Sequence, residues 1–257
     1  MADEFVGRGL PLSAAGLAAA TARAGIGLAE IWSVIFVETP GCGFIADRRP
    51  TLLFERHHFH RRSGGKGPAD ISDPSAGGYA ATKAEEYERL ERAIAIDRKA
   101  ALESTSWGLG QVMGFNAKLA GFADAETMVK AMVDGEDAQL LGMMNFGVAA
   151  KLAAPLKEHR WDAFAAGYNG SNYKINDYDG KLARNFARWS AGPLPDLRAR
   201  TAQLALIYLG YKPGPVDGQP GRRTGEAVSA YQKAAALPVS GTLDDATFAK
   251  LCADAKF

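Results

Sequence analysis

Two turns at one offset constrain the last part of this chain more than any other feature. Val216-Asp217-Gly218 and Val239-Ser240-Gly241 repeat one pattern, and a Thr stands six residues after each Gly, at Thr224 and Thr247. Gly accepts the positive φ of such turns, and Asp, Ser or Thr beside a helix start can satisfy its free N–H groups. The pattern predicts three helices, over 198–209, 224–235 and 245–254, joined by turns into a small unit. On this reading Asp217, Thr224 and Gln232 hold the turns together.

Ahead of that unit, Ser190-Ala191-Gly192-Pro193-Leu194-Pro195 reads as a linker, because Gly and Pro punctuate regular structure. The expected division is 1–190, a linker over 191–196, and 197–257. The larger part is long enough to bury a core of its own. Lys and Arg number 30 against 29 Asp and Glu, a formal net charge of +1, so nothing in the charge points to nucleic acid. Arg48, Arg49, Arg56, Arg61, Arg62 and Lys66 do cluster, which suits either an anionic partner or plain solvent. Cys42 and Cys252 fall in different predicted domains. A reduced compartment is the default for so few thiols, although two permit one bridge. Met1-Ala2-Asp3-Glu4 has no basic character, and Arg23 and Glu30 interrupt the apolar run from Leu10 to Ile35. Neither a signal peptide nor a membrane span is expected. A monomer is the default.

In the N-terminal part, Leu28, Ile31, Trp32 and Ile35 follow the period of one buried helix face, so a helix is expected over 13–37. Thr39-Pro40-Gly41 must stop it. Extended stretches near Cys42–Ala46 and Thr51–Phe54 could pair as a hairpin through Asp47-Arg48-Arg49-Pro50. Ser63–Ala81 reads as a long loop. Further helices are expected over 83–101, 125–133, 137–152 and 161–167.

Glu38 stands where the first of these helices ends. Val34-Ile35-Phe36-Val37 leads into it, and apolar surroundings disfavour a charged carboxylate. The partial negative charge of a helix C-terminus acts in the same direction. A carboxyl kept protonated near neutral pH is what glycosidic cleavage needs, since the leaving sugar oxygen must receive a proton. Most such reactions use a second group. Glu55, at the end of the expected hairpin, is the first candidate and Glu103 the second; an ion pair to a neighbouring Arg is the alternative for Glu55. His57, His58 and His60 have no second ligand cluster near them, so no metal is expected. No cofactor is expected either.

Four blocks together resemble the N-acetylmuramidase family of phage endolysins. They are Phe36-Val37-Glu38-Thr39-Pro40-Gly41-Cys42-Gly43-Phe44, Arg49 to His57, Ala101 to Asn116, and the set Trp161, Phe164-Ala165, Tyr168-Asn169-Gly170, Tyr173, Asn176, Tyr178 and Lys181-Leu182. The run Ser106-Trp107-Gly108-Leu109-Gly110-Gln111 is also similar to a signature of goose-type lysozymes and lytic transglycosylases. The C-terminal unit resembles the type 1 peptidoglycan-binding domain. These resemblances imply a mainly α (α+β) fold: a lysozyme-like helical domain with a small β-hairpin, followed by a three-helix wall-binding domain. They imply hydrolysis of the β-1,4 bond between N-acetylmuramic acid and N-acetylglucosamine, with Glu38 as the acid and peptidoglycan as the partner. Glu55 would activate water or steady the oxocarbenium ion. Gln111 and Asn169 carry amides suited to acetamido groups and hydroxyls, and Trp107, Tyr168 and Tyr173 offer flat faces to sugar rings. Ser106 would hold a loop or a water. The expected route is a stay in the host cytoplasm until a holin releases the enzyme. Two departures from the family pattern stand out: Thr39-Pro40 after the acid, and a wall-binding domain behind the catalytic one. The alternatives are a lytic transglycosylase, and a phage structural protein that binds wall without cutting it.

Overall fold

The computed structural model describes residues 2–170 and 173–257. The apolar period suggests one helix over 13–37, but the chain forms two. α1 (Ala14–Ala24) and α2 (Leu28–Glu38) are bent by 103° from each other. Gly25 takes a left-handed C-cap (φ 64°), and its N–H closes on Thr21 O at 2.8 Å. That conformation costs Gly little and ends the helix there. Among the described residues no single helix is long and apolar enough to cross a membrane. Thr39 is extended and stops α2 where Pro40 follows.

The expected hairpin is corrected. Cys42–Ala46 and Thr51–Phe54 meet only through the bridge Phe44–Pro50 and backbone bonds such as Thr51 N–H to Gly43 O at 2.8 Å. The real partner of β1 (Leu52–Phe54) lies about fifty residues away, a separation no local turn signal reveals. β1 pairs antiparallel with β2 (Thr105–Trp107), which pairs in turn with β3 (Val112–Met113). Leu52, Phe54, Thr105 and Trp107 face the core. α3 (Arg56–Ser63) follows β1 directly, where only loop and basic residues were legible.

α4 (Lys83–Glu103), kinked at Asp97 where the backbone turns extended (φ −156°, ψ 97°), backs the sheet. Thr82 starts it with a full capping box to Glu85. Lys83 Nζ donates to Leu52 O at 2.8 Å, so the helix start is also tied to β1. α5 (Ala125–Met132), α6 (Glu136–Ala149), α7 (Ala153–Lys157) and α8 (Trp161–Asn169) complete most of the helical body. α9 (Tyr178–Ala191) was not foreseen. It buries Tyr178, Leu182 and Trp189 and packs along α2, with Trp189 against Phe36 at 5.1 Å between ring centroids.

The last part folds as α10 (Leu197–Tyr208), α11 (Arg222–Ala234) and α12 (Asp245–Asp254) around Leu206, Val228, Tyr231 and Leu251. The repeated turns have a physical origin here. Gln203 Oε1 accepts from Gly218 N–H at 2.9 Å, and its Nε2 reaches Asp217 and Thr224. Gln232 does the same for the second turn, accepting from Ser240 and Gly241 N–H at 3.0 and 2.9 Å and donating to Thr247 Oγ1 at 3.0 Å. Each buried glutamine staples one turn to the start of the helix after it. Gln232→Ala is therefore expected to cost about 1–2 kcal/mol, because two turn N–H groups lose their acceptor. Denaturation of the variant checks this; an unchanged midpoint would mean that water replaces the amide without loss.

Candidate active site

Glu38 is the last residue of α2. Burial pushes its carboxyl from the ordinary 4.5 up to about 8. The cause is lost hydration of the charged form. The Tyr178 hydroxyl, from the first turn of α9, donates to Glu38 Oε1. Such a bond favours the charged form, and burial outweighs it. The carboxyl thus keeps a proton in neutral water while one oxygen stays oriented.

The β2–β3 turn sits against this acid. Tyr168 donates to Gly110 O at 2.7 Å, and Thr39 Oγ1 lies 3.4 Å from Leu109 O. Leu109 N–H donates to Gln139 Oε1 at 2.8 Å, so α6 supports the turn from below. Within the turn, Gln111 adopts a positive φ of 47°. Its Nε2 donates to Gly108 O at 2.8 Å and Thr51 O at 3.2 Å, while its Oε1 accepts from Ser106 Oγ at 3.0 Å. Ser106 and Gln111 are thus brought together, but their polar atoms are spent holding the turn.

Glu55 closes β1 with extended backbone (φ −101°, ψ 93°) and precedes α3. Strand alternation places it on the face of Leu53, opposite the buried Leu52 and Phe54. Tyr79 donates to both carboxylate oxygens at 3.2 Å each, and His57 Nδ1 lies 3.2 Å from Oε2. Burial raises the Glu55 carboxyl above its ordinary range, the Tyr79 bond opposes the rise, and the Glu86 charge adds to it. Tyr79 therefore stands where an arginine partner is the alternative, and His57 lies close by without a hydrogen bond from its Nδ1. Glu103, the other candidate, faces Arg62 at 3.5 Å and Lys99 at 3.9 Å.

Trp107 needs correction. It is 0% exposed, its Nε1–H donates to Leu102 O at 3.2 Å, and its ring lies 5.5 Å from that of Phe5. No sugar can reach that ring. Neighbours in a strand point to opposite faces, so Ser106 and Trp107 cannot both face a cleft. Tyr168 is half-buried between Phe146 and Phe164, with centroids at 5.4 and 5.3 Å. Burial holds its phenol well above the ordinary value, and the nearby Glu38 charge adds to the rise. Its position steadies the turn more than it presents a flat face. Asn169, at the end of α8, is exposed, and Tyr173 is half-buried in a short 3-10 turn.

Among the described residues no group of three or more His, Cys, Asp or Glu could hold a metal ion. The three histidines of α3 have other neighbours: His60 Nδ1 is 3.1 Å from Ser72 Oγ, and His58 Nδ1 is 2.9 Å from Arg61. Burial lowers His58 to about 4. Cys42 and Cys252 are free thiols.

Two contacts escaped the sequence. Tyr178 lies in the fourth block of the family resemblance, where nothing in its neighbours points to Glu38, and Tyr79 sits in the long loop over 63–81.

Comparison with known proteins agrees with this geometry. The N-acetylmuramidase family matches residues 27–190, and the peptidoglycan binding domain family matches residues 197–251. The crystal structure of Burkholderia AP3 phage endolysin resembles the chain with a TM-score of 0.63 and 40% sequence identity, covering 70% of this chain and 71% of that one. No curated protein matches. The match spans α2, the sheet and α9, the elements that set the buried acid in place, and on that footing the chain belongs to the N-acetylmuramidase family and carries a peptidoglycan-binding domain behind its catalytic one.

Proposed function

We propose that the enzyme hydrolyses the β-1,4 bond after N-acetylmuramic acid as a phage endolysin does, with Glu38 as general acid and Glu55 as the second carboxylate. The observation that carries this reading is the half-buried Glu38 carboxyl, raised to about 8 and oriented by Tyr178. It supplies a proton to the leaving oxygen at a pH where an ordinary carboxyl has none. Glu55, steadied by Tyr79, then takes a proton from the attacking water or balances the oxocarbenium charge. Asn169, the exposed last residue of α8, and Tyr173, half-buried in the 3-10 turn that follows, are the residues left to meet the glycan. One copy of the chain carries the whole set, which supports a monomer. A holin-dependent release to the wall fits the likeness to a phage endolysin.

Mass spectrometry of digested peptidoglycan tests the reading. Reducing N-acetylmuramic acid ends are expected. Anhydro ends would instead mean that the sugar's own hydroxyl attacks, and Glu55 would lose its role. Glu55→Gln is expected to slow hydrolysis by roughly 10²-fold with the fold intact. A variant that keeps wild-type turnover would remove Glu55 from the chemistry.

A further inference from the structure

Glu136 opens α6 and is 0% exposed, yet four donors meet its carboxylate. The backbone N–H groups of Leu12 and Gly43 donate at 2.8 Å each, and Arg200 donates through Nη1 at 2.5 Å and Nη2 at 2.7 Å. Arg200 belongs to α10 of the peptidoglycan-binding domain and is itself 1% exposed. Its Nε also donates to Gly41 O at 3.1 Å, and Nη2 reaches the same oxygen.

Gly41 stands three residues after Glu38. Its φ is +89°, and a Cβ there would lie 2.6 Å from Val216 O and 3.1 Å from the Phe36 ring. Val216, like Arg200, belongs to the peptidoglycan-binding domain. At Gly43 a Cβ would lie 1.8 Å from Gln139 Oε1. The turn leaving the acid is therefore held between α2, α6 and a second domain. A domain that served only to keep the enzyme on the wall would need no such contact, because a flexible tether raises local concentration equally well. A buried ion pair is also a poor source of net stability, and fixing one geometry is a better account of its presence.

We propose that Arg200 is a positioning residue for the muramidase reaction: the peptidoglycan-binding domain clamps the turn after Glu38 and so sets the acid for proton transfer. The proposal rests on Glu38 being that acid. It makes the second domain part of the catalytic framework as well as an anchor.

The test uses the full chain and a soluble glycan fragment of a few disaccharide units, on which anchoring to an insoluble wall plays no part. Arg200→Met with Glu136→Gln removes both charges, and the single amide oxygen accepts from either the Leu12 or the Gly43 N–H, which meet different oxygens of the carboxylate. Turnover on the fragment is expected to fall about 10- to 100-fold, since small misplacements of reacting groups carry such costs. KM and co-sedimentation with purified peptidoglycan should stay within about twofold, the pattern of a group that acts in the transition state. Tyr208→Phe removes a different interdomain bond, to Gly9 O at 3.0 Å, and should leave turnover unchanged. A folded double variant with wild-type turnover overturns the proposal, as does an equal loss in Tyr208→Phe. Should the double variant fail to fold, Arg200→Lys decides. It keeps the charge but not the fork, so lost turnover with intact wall binding supports the proposal and wild-type turnover overturns it. A wild-type enzyme that cuts no glycan sinks the reading of Glu38 itself, which separates that failure from the failure of the clamp.

Discussion

Glu38→Gln is expected to abolish glycan cleavage, by about 10³-fold or more, and to stabilise the folded enzyme in neutral and alkaline solution. Both effects have one cause. The carboxyl ionises near 8 in the folded chain and near 4.5 when exposed. A group whose folded value is raised contributes stability that is complete below its unfolded value and is lost as pH rises through the folded one. Wild type and variant should therefore melt together below about pH 4.5, where Glu38 is neutral in both states. Above that they diverge, and the gap should be full beyond about pH 8. Gln mimics the protonated acid and can still accept from Tyr178, so it escapes the cost of a buried charge. The gain is roughly 1–3 kcal/mol once partial exposure of the carboxyl is discounted. Melting curves across the pH range read the stability, and reducing-end release reads the activity. An inactive variant whose stability advantage over wild type is no larger at pH 8 than at pH 4 would mean that the acid titrates normally. Wild-type activity should itself fall as pH climbs past about 8, when the proton is lost.

What the sequence reveals about this site is what local chemistry encodes. The end of α2 is legible because Thr39-Pro40-Gly41 cannot continue a helix, and the apolar approach to Glu38 announces the raised carboxyl. The turns at Gly218 and Gly241 are legible because their residue types repeat, and Gln232 with them, although Gln203, which holds the first turn, becomes visible only with the fold. Contacts made at long range stay silent. Nothing near Leu52 says that its partner is Trp107, and nothing near Glu38 names Tyr178, which lies 140 residues away. Arg200 reads as one more charge on a C-terminal helix until Glu136 and Gly41 are seen around it. The break at Gly25 was missed for another reason. The apolar period runs on across it, and periodicity reports burial, whereas a change of helix direction depends on a single backbone angle.

Trp107→Ala should be the most damaging core substitution among the residues that sequence alone placed in the cleft, at about 3–5 kcal/mol. Its indole is fully buried against Phe5, with Leu52 directly opposite in register, so removing it opens a cavity in the core. Trp107→Phe should cost far less. It keeps most of the packing and forfeits the bond to Leu102 O, worth about 1 kcal/mol. Chemical denaturation should rank the three proteins in that order, and KM on soluble glycan should not change in whatever fraction stays folded. A sugar platform predicts the opposite pattern: an unchanged midpoint and a raised KM in Trp107→Ala. The same reasoning applies along the strand. Because side chains alternate, turning Trp107 toward a glycan would carry Thr105 out with it and turn Ser106 to the opposite face, breaking the Ser106–Gln111 bond that shapes the turn beside Glu38. Trp107 thus anchors the sheet from its far side and fixes which face the turn beside Glu38 presents.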